Sequence, residues 1–155
     1  MNNYEINQIL KSHNRTKGIF LESLPCDRGP NNEQHYPFAL VMNTDFSGGR
    51  GIHWIAIFAL SDRSVEYFDS YGMPPNKCIY TNFLKRFASI KRSEIRLQSY
   101  LSSVCGHYCV YFIVRRCYGE TFENIIKGLR DMGDIRDSYV REYTNQLQQC
   151  IIPYY

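Results

Sequence analysis

Apolar positions along this 155-residue chain change their spacing from one segment to the next, and the spacing predicts an element order. Ile6, Ile9 and Leu10 stand at i, i+3 and i+4 between Tyr4 and Leu10, the signature of a short amphipathic helix. The stretch from Pro25 to Pro37 is rich in Pro, Gly, Asn and Asp and predicts an irregular surface loop. A first strand is expected at Phe38–Asn43, then a flexible loop, Ser47-Gly48-Gly49-Arg50-Gly51, then a strand from His53 to Leu60. In that second strand Ile55, Ile57 and Ala59 alternate with Trp54, Ala56, Phe58 and Leu60, so both faces are apolar and the strand belongs inside its sheet. Ser61-Asp62-Arg63 makes the turn that brings Val65–Asp69 back antiparallel.

Helical spacing returns at Tyr80, Phe83, Leu84 and Phe87, and Ile95–Gln98 reads as a further strand. Cys105 opens a strongly apolar helix that runs to about Tyr118 and stops at Gly119. Two amphipathic helices follow, one using Phe122, Ile125, Ile126 and Leu129, the other starting near Asp134 and using Val140, Tyr143, Leu147 and Ile151. The expected fold is α+β: a small mixed, largely antiparallel sheet flanked by helices, with one buried helix carrying Cys105 at its N-terminus. A single domain over residues 1–155 has length enough for a core without staples.

Composition narrows this little. The apolar share of 44% and aromatic share of 15% fit a packed domain, and a net charge of +3 is too small to declare a nucleic-acid binder. No run approaches the ~18 apolar residues of a membrane span. The start, Met1-Asn2-Asn3-Tyr4-Glu5, has no basic region followed by an apolar run, so an intracellular rather than secreted chain is expected. The six cysteines are accordingly expected as reduced thiols, five of them packing residues.

Cys105 is the exception. A thiolate rather than a thiol attacks carbonyls, and a helix N-terminus together with a nearby imidazolium would favour the anion. His53 is the best base. Asp69 is the best acid to orient it, because a turn at Ser61–Arg63 puts Ile55 opposite Asp69 and makes His53 a diagonal neighbour on the same face, with Cα atoms roughly 7–8 Å apart. Glu66 has the opposite parity and falls with Phe68 on the other face. Gln98, seven residues before Cys105, can return through the Ser99–Val104 loop and offer its amide to an oxyanion, beside the Cys105 N–H. Gly51, Trp54 and Gly106 are candidate substrate-binding positions, Gly106 because a substrate backbone would pass close to it.

In the order His53-Trp54, then Tyr67-Phe68-Asp69-Ser70-Tyr71-Gly72, then Gln98 with Cys105-Gly106, the chain resembles the adenovirus endopeptidase (adenain) family and the wider group of cysteine proteases that includes the SUMO proteases. Phe20-Leu21, Val41-Met42-Asn43-Thr44 and Gly51-Ile52 extend the resemblance over most of the chain. It implies a Cys105, His53, Asp69 triad with Gln98 in the oxyanion hole. It also implies a monomeric endopeptidase that cuts viral or virus-like structural precursors near small or glycine residues, in a host nucleus or a virion. A large virus-like DNA transposon is an equal source. Two departures stand out: the adenoviral enzymes carry Glu where Asp69 stands, and Phe87 occupies the position of their activating-peptide cysteine, with Cys78 the nearest cysteine. No cofactor is required by this reading, with DNA or an activating peptide as accessories.

Rival readings use the same triad. One is an isopeptidase removing a ubiquitin-like modifier that ends in Gly-Gly; another is an acetyltransferase forming an acyl-enzyme; a third is a non-catalytic binding domain. Cys105, His107 and Cys109 raise a metal site, but no second pair at zinc spacing accompanies them, and none is expected. Lys85, Arg86, Lys91 and Arg92, with Arg96, form a basic cluster, and Arg115-Arg116 a second. A solvated face is their plain reading and a DNA-backbone contact their functional one.

Overall fold

The computed structural model describes residues 1–31 and 35–151. Five strands lie side by side in chain order: β1 (Phe20–Pro25), β2 (Phe38–Asn43), β3 (Trp54–Ala59), β4 (Ser64–Phe68) and β5 (Ser89–Arg92). The two central pairings, β2 with β3 and β3 with β4, are antiparallel, and the two outer ones are parallel, so the sheet is mixed. Around it stand α1 (Asn3–Ser12), α2 (Lys77–Asn82), α3 (Cys105–Cys117), α4 (Phe122–Asp131) and α5 (Arg136–Gln149).

Every residue of β2 is buried, and in β3 every residue but Trp54, because the sheet is covered on both sides. Ala39, Val41, Ala56 and Phe58 face the core shared with α1, α3, α4 and α5. Leu40, Met42, Ile55 and Ile57 face a second core closed by Ile79, Phe83, Leu84 and Phe87. α3 lies against the first face, where Phe68 stacks on Phe112 at 4.6 Å. Eight of its residues, from Gly106 to Val114, are buried, and α3 packs against the central strand β3.

Most predicted elements are present. α1 buries Ile6, Ile9 and Leu10 and is capped by a reciprocal Asn2–Glu5 box. α3 ends before Gly119 at φ 93°, and α4 buries Phe122, Ile125, Ile126 and Leu129. α5 begins at Arg136, after a 3-10 turn over Gly133–Ile135. The Tyr80–Phe87 helix is instead broken at Phe83 into α2 and a 3-10 turn, and Tyr80 is exposed.

Three expectations are corrected. Phe38–Asn43 is not the first strand, since β1 pairs parallel to it. Ile95–Gln98 is not a strand: the Leu97 and Gln98 N–H groups both donate to the one Ser70 carbonyl, a convergence no ladder makes. The fifth strand lies earlier, at Ser89–Arg92, where only Ile90 carries an apolar signal. And Cys26 and Cys78, expected as thiols, form a disulfide, their Cα atoms 5.7 Å apart. Of the predicted Pro25–Pro37 loop, residues 32–34 lie outside the described residues.

Candidate active site

The β3–β4 register is the one the turn demanded. Ala56 pairs with Phe68 and the Leu60 N–H donates to Ser64, which extends to Ile55 opposite Asp69. His53 and Asp69 therefore sit diagonally just beyond the strand ends, and His53 Nε2 lies 2.8 Å from Asp69 Oδ1. Asp69 is only 4% exposed and its Oδ1 also accepts the Tyr71 N–H at 2.8 Å, so the carboxylate is held from two directions. Glu66 falls on the other face, as its parity requires, and makes a paired bond to Arg116 of α3 at 2.7 and 3.2 Å.

With Nε2 committed to Asp69, the other ring nitrogen is left to serve Cys105, the first residue of α3. Two thiols one helical turn apart show what this does. Burial pushes the Cys109 thiol well above its ordinary range, with no cation beside it to oppose that. Burial acts on Cys105 too, but the His53 hydrogen bond and N–H groups of Trp54 and Gly106 outweigh it and lower its pKa. His53 answers in kind: burial disfavours its charge, yet Asp69 and Cys105 together raise it to about 9. Both shifts favour the thiolate–imidazolium form of the pair.

Gln98 is buried and clamped at both ends. Its Oε1 accepts from the Ser70 hydroxyl at 2.7 Å, which sends Nε2 towards the loop before Cys105, where it donates to the Ser102 carbonyl at 2.9 Å. An amide nitrogen has two N–H groups, so one remains. The loop itself is tied to α5 through the Ser99 N–H on Asp137 (3.2 Å), and Asp137 also accepts from Tyr108 of α3 at 2.6 Å. Ser70 and Asp137 were not singled out in the sequence. Ser70 stands in the Asp-Ser motif and could have been found there; Asp137 carries no local signal.

A groove of about 710 Å³ leads to the sulfur, lined by Ser23–Pro25, Asn43, Asp45 to Ile52, His53, Trp54 and Cys105. Its glycine-rich wall is braced rather than loose. Asn43 Oδ1 accepts from the N–H groups of Asp45 and Ile52, Asp45 accepts from Gly51, and Asp27 accepts from Ser47. The disulfide grips the same wall: the Cys26 N–H donates to Asp45, and Asn76, two residues before Cys78, donates to Thr44. Gly51 adopts φ 80°, a region open to glycine, with its face towards Asn43.

Gly51 and Trp54 thus line the groove, and Gly106 does not. Gly106 is buried, and a Cβ there would come within 3.4 Å of the Trp54 ring and 3.0 Å of Met1. Glycine at this position lets the Trp54 side chain press against α3, not a substrate. The indole Nε1–H donates to the Met1 carbonyl.

Outside the groove, His107 hydrogen-bonds Thr144, and burial holds its pKa down at about 4. Among the described residues no three His, Cys, Asp or Glu are grouped to hold a metal ion. Of the basic cluster, Lys91 pairs with Glu123 and Arg92 with Glu94, while Arg86 donates to the Phe83 and Asn82 carbonyls. Arg115 and Arg116 are taken up by Glu120 and Glu66. Among the described residues no helix is long and apolar enough to cross a membrane.

No family model matches the chain. Among curated proteins, a putative thiol protease of Acanthamoeba polyphaga mimivirus is 29% identical over 124 residues, 71% of this chain and 41% of the relative. A protein of African swine fever virus named SUMO-1 cysteine protease is 34% identical over 102 residues, 57% of this chain and 37% of the relative. The chain is similar to viral proteins named as thiol or cysteine proteases. It spans about two-fifths of the length of these curated relatives. The crystal structure of the African swine fever virus protease superposes with a TM-score of 0.54 at 21% identity, over 88% of this chain and 65% of that one. The central domain of an uncharacterized Legionella pneumophila protein gives 0.56 at 16% identity, over 96% and 98%. The fold is that of the viral cysteine protease.

Proposed function

We propose that this chain is a cysteine endopeptidase that cuts protein precursors next to glycine or other small residues. The observation that carries the reading is the Asp69–His53 contact of 2.8 Å with a depressed thiol on the far side of the imidazole, at the end of an open groove. The Cys105 thiolate attacks the peptide carbonyl carbon, and the carbonyl electron pair becomes an oxyanion facing the Cys105 N–H and the spare Gln98 N–H. His53 gives its proton to the amide nitrogen as the carbon–nitrogen bond breaks, leaving a thioester. Water then attacks that thioester and passes a proton to His53; the carbon–sulfur bond breaks and the thiolate–imidazolium pair is restored.

Glycine preference is supported by the groove's form. Gly48 to Gly51 and Trp54 wall the approach to the sulfur, as a substrate with small residues beside the scissile bond would use, and the resemblance to the adenain family implies the same preference. Cys105→Ala in a folded protein is expected to abolish cleavage of an internally quenched peptide library. Undiminished cleavage by that variant would sink the reading.

A second reading, removal of a ubiquitin-like modifier, is favoured by the name of the African swine fever virus relative. It uses the same chemistry on a Gly-Gly tail. Release of a fluorophore from full-length modifiers at rates far above those on matched peptides would select it.

A further inference from the structure

Beside His53, outside the residues that line the groove, runs a row of packed planar groups. The Tyr71 ring lies 4.8 Å from the His53 ring, Tyr100 stacks on Tyr71 at 5.8 Å and 18°, and the Arg96 guanidinium sits 4.1 Å over Tyr100. Arg96 is itself fastened to the Gln98 carbonyl, so the row is fixed to the segment that carries the oxyanion candidate. None of these three residues lines the groove.

Beside this row the chain presents apolar surface to water. Tyr100 is 74% exposed and Leu101 98%, at the tip of the turn that leads into Cys105. That turn is built, not frayed: Ser102 closes it on the Ser99 carbonyl, and Asp137 holds Ser99 from α5. A leucine fully in water on a braced turn beside a nucleophile has no role in the core, and exposed apolar groups grouped at a site mark a binding surface.

We propose that the Tyr100–Leu101 turn, stacked through Tyr71 onto His53, is the subsite for an apolar or aromatic side chain on the leaving-group side of the scissile bond. The inference rests on the protease reading, and the direction follows from its chemistry. His53 protonates the leaving nitrogen, so the chain beyond that nitrogen departs on the imidazole side, across Tyr71. The acyl portion lies in the groove between Trp54 and the glycine-rich wall. His53 joins the groove and the row, lining the groove on one side and packing against Tyr71 on the other, so one extended substrate would touch both. A flat aromatic row favours another flat or apolar group, and Arg96 behind it disfavours a cationic one.

The test is a set of internally quenched peptides with one cleavable acyl half and a varied first and second leaving-side residue. Wild-type protein is expected to cleave those carrying Phe, Leu or Met there with kcat/KM about tenfold above those carrying Gly or Lys. In Leu101→Asp and in Tyr100→Ala that ratio should fall below about threefold, while the ranking of acyl-half variants stays as it was. Leu101 buries nothing, so its substitution reports on binding alone. Cleavage by wild type with no leaving-side preference overturns the subsite and leaves the protease reading standing, as does a preference that survives both substitutions. Failure of wild type to cleave any member, with Cys105 unreactive towards a peptide thiol electrophile, overturns both.

Discussion

Replacing Asp69 with Asn removes the charge facing His53 while keeping nearly the same shape. Burial alone would pull the imidazole below its ordinary value of 6.5, and the Asp69 and Cys105 contacts lift it instead to about 9. That rise corresponds to about 3 kcal/mol in favour of the protonated ring. Because the folded value lies above the ordinary one, the favourable contacts of the protonated His53 ring are fully present below pH 6.5 and are lost as pH rises through about 9. The alkaline limb of kcat/KM for a cleaved peptide should therefore fall near pH 9. In Asp69→Asn, with the carboxylate gone and burial unopposed on that side, the limb should move down by about one pH unit or more. An asparagine can also donate its N–H to Nε2 and so favour the wrong tautomer, and kcat/KM at the optimum should drop by about a hundredfold or more. Two results would refute the reasoning: an alkaline limb that stays in place, or a loss in Glu66→Gln as large as that in Asp69→Asn.

Glu66→Gln should act on stability instead. The Glu66–Arg116 pair is nearly enclosed, with side chains 3% and 13% exposed, and neutralising one partner should lower the urea-unfolding free energy by about 2 kcal/mol. Activity per folded molecule should change less than about threefold, within the scatter expected of a substitution remote from the chemistry. Alkylation with iodoacetamide at neutral pH, read by site-mapped mass spectrometry, should modify Cys105 well before Cys117, whose thiol burial pushes up to about 11, and Cys109 only on unfolding. Ser70→Ala removes the hydroxyl that orients the Gln98 amide. It should cost about tenfold in kcat, against about 10²–10³ for Gln98→Ala, with KM little changed in both. An unaffected Ser70→Ala would remove the clamp from the mechanism.

The sequence determined whatever depends on local spacing. Amphipathic periods placed α1 and α4, a continuous apolar run ending at Gly119 placed α3, double-sided burial marked β3 as interior, and the length of one turn fixed the register that brings His53 diagonal to Asp69 and sends Glu66 to the opposite face. What it could not determine are pairings between distant segments with weak patterns. β1 and β5 are sheet-edge strands joined in parallel, and a parallel partner supplies no turn from which to infer it. Cys26 and Cys78 lie 52 residues apart and meet only because β1 and α2 converge on the groove wall. Gly106 looked like a place for substrate, and only the packing of Trp54 against α3 reassigned it to the core. The stack from His53 to Arg96 joins residues from three separate segments, so neither its order nor its exposure is written in any one of them. Spacing along the chain set which residues share a face; the folding of separate segments onto one another set which of them touch.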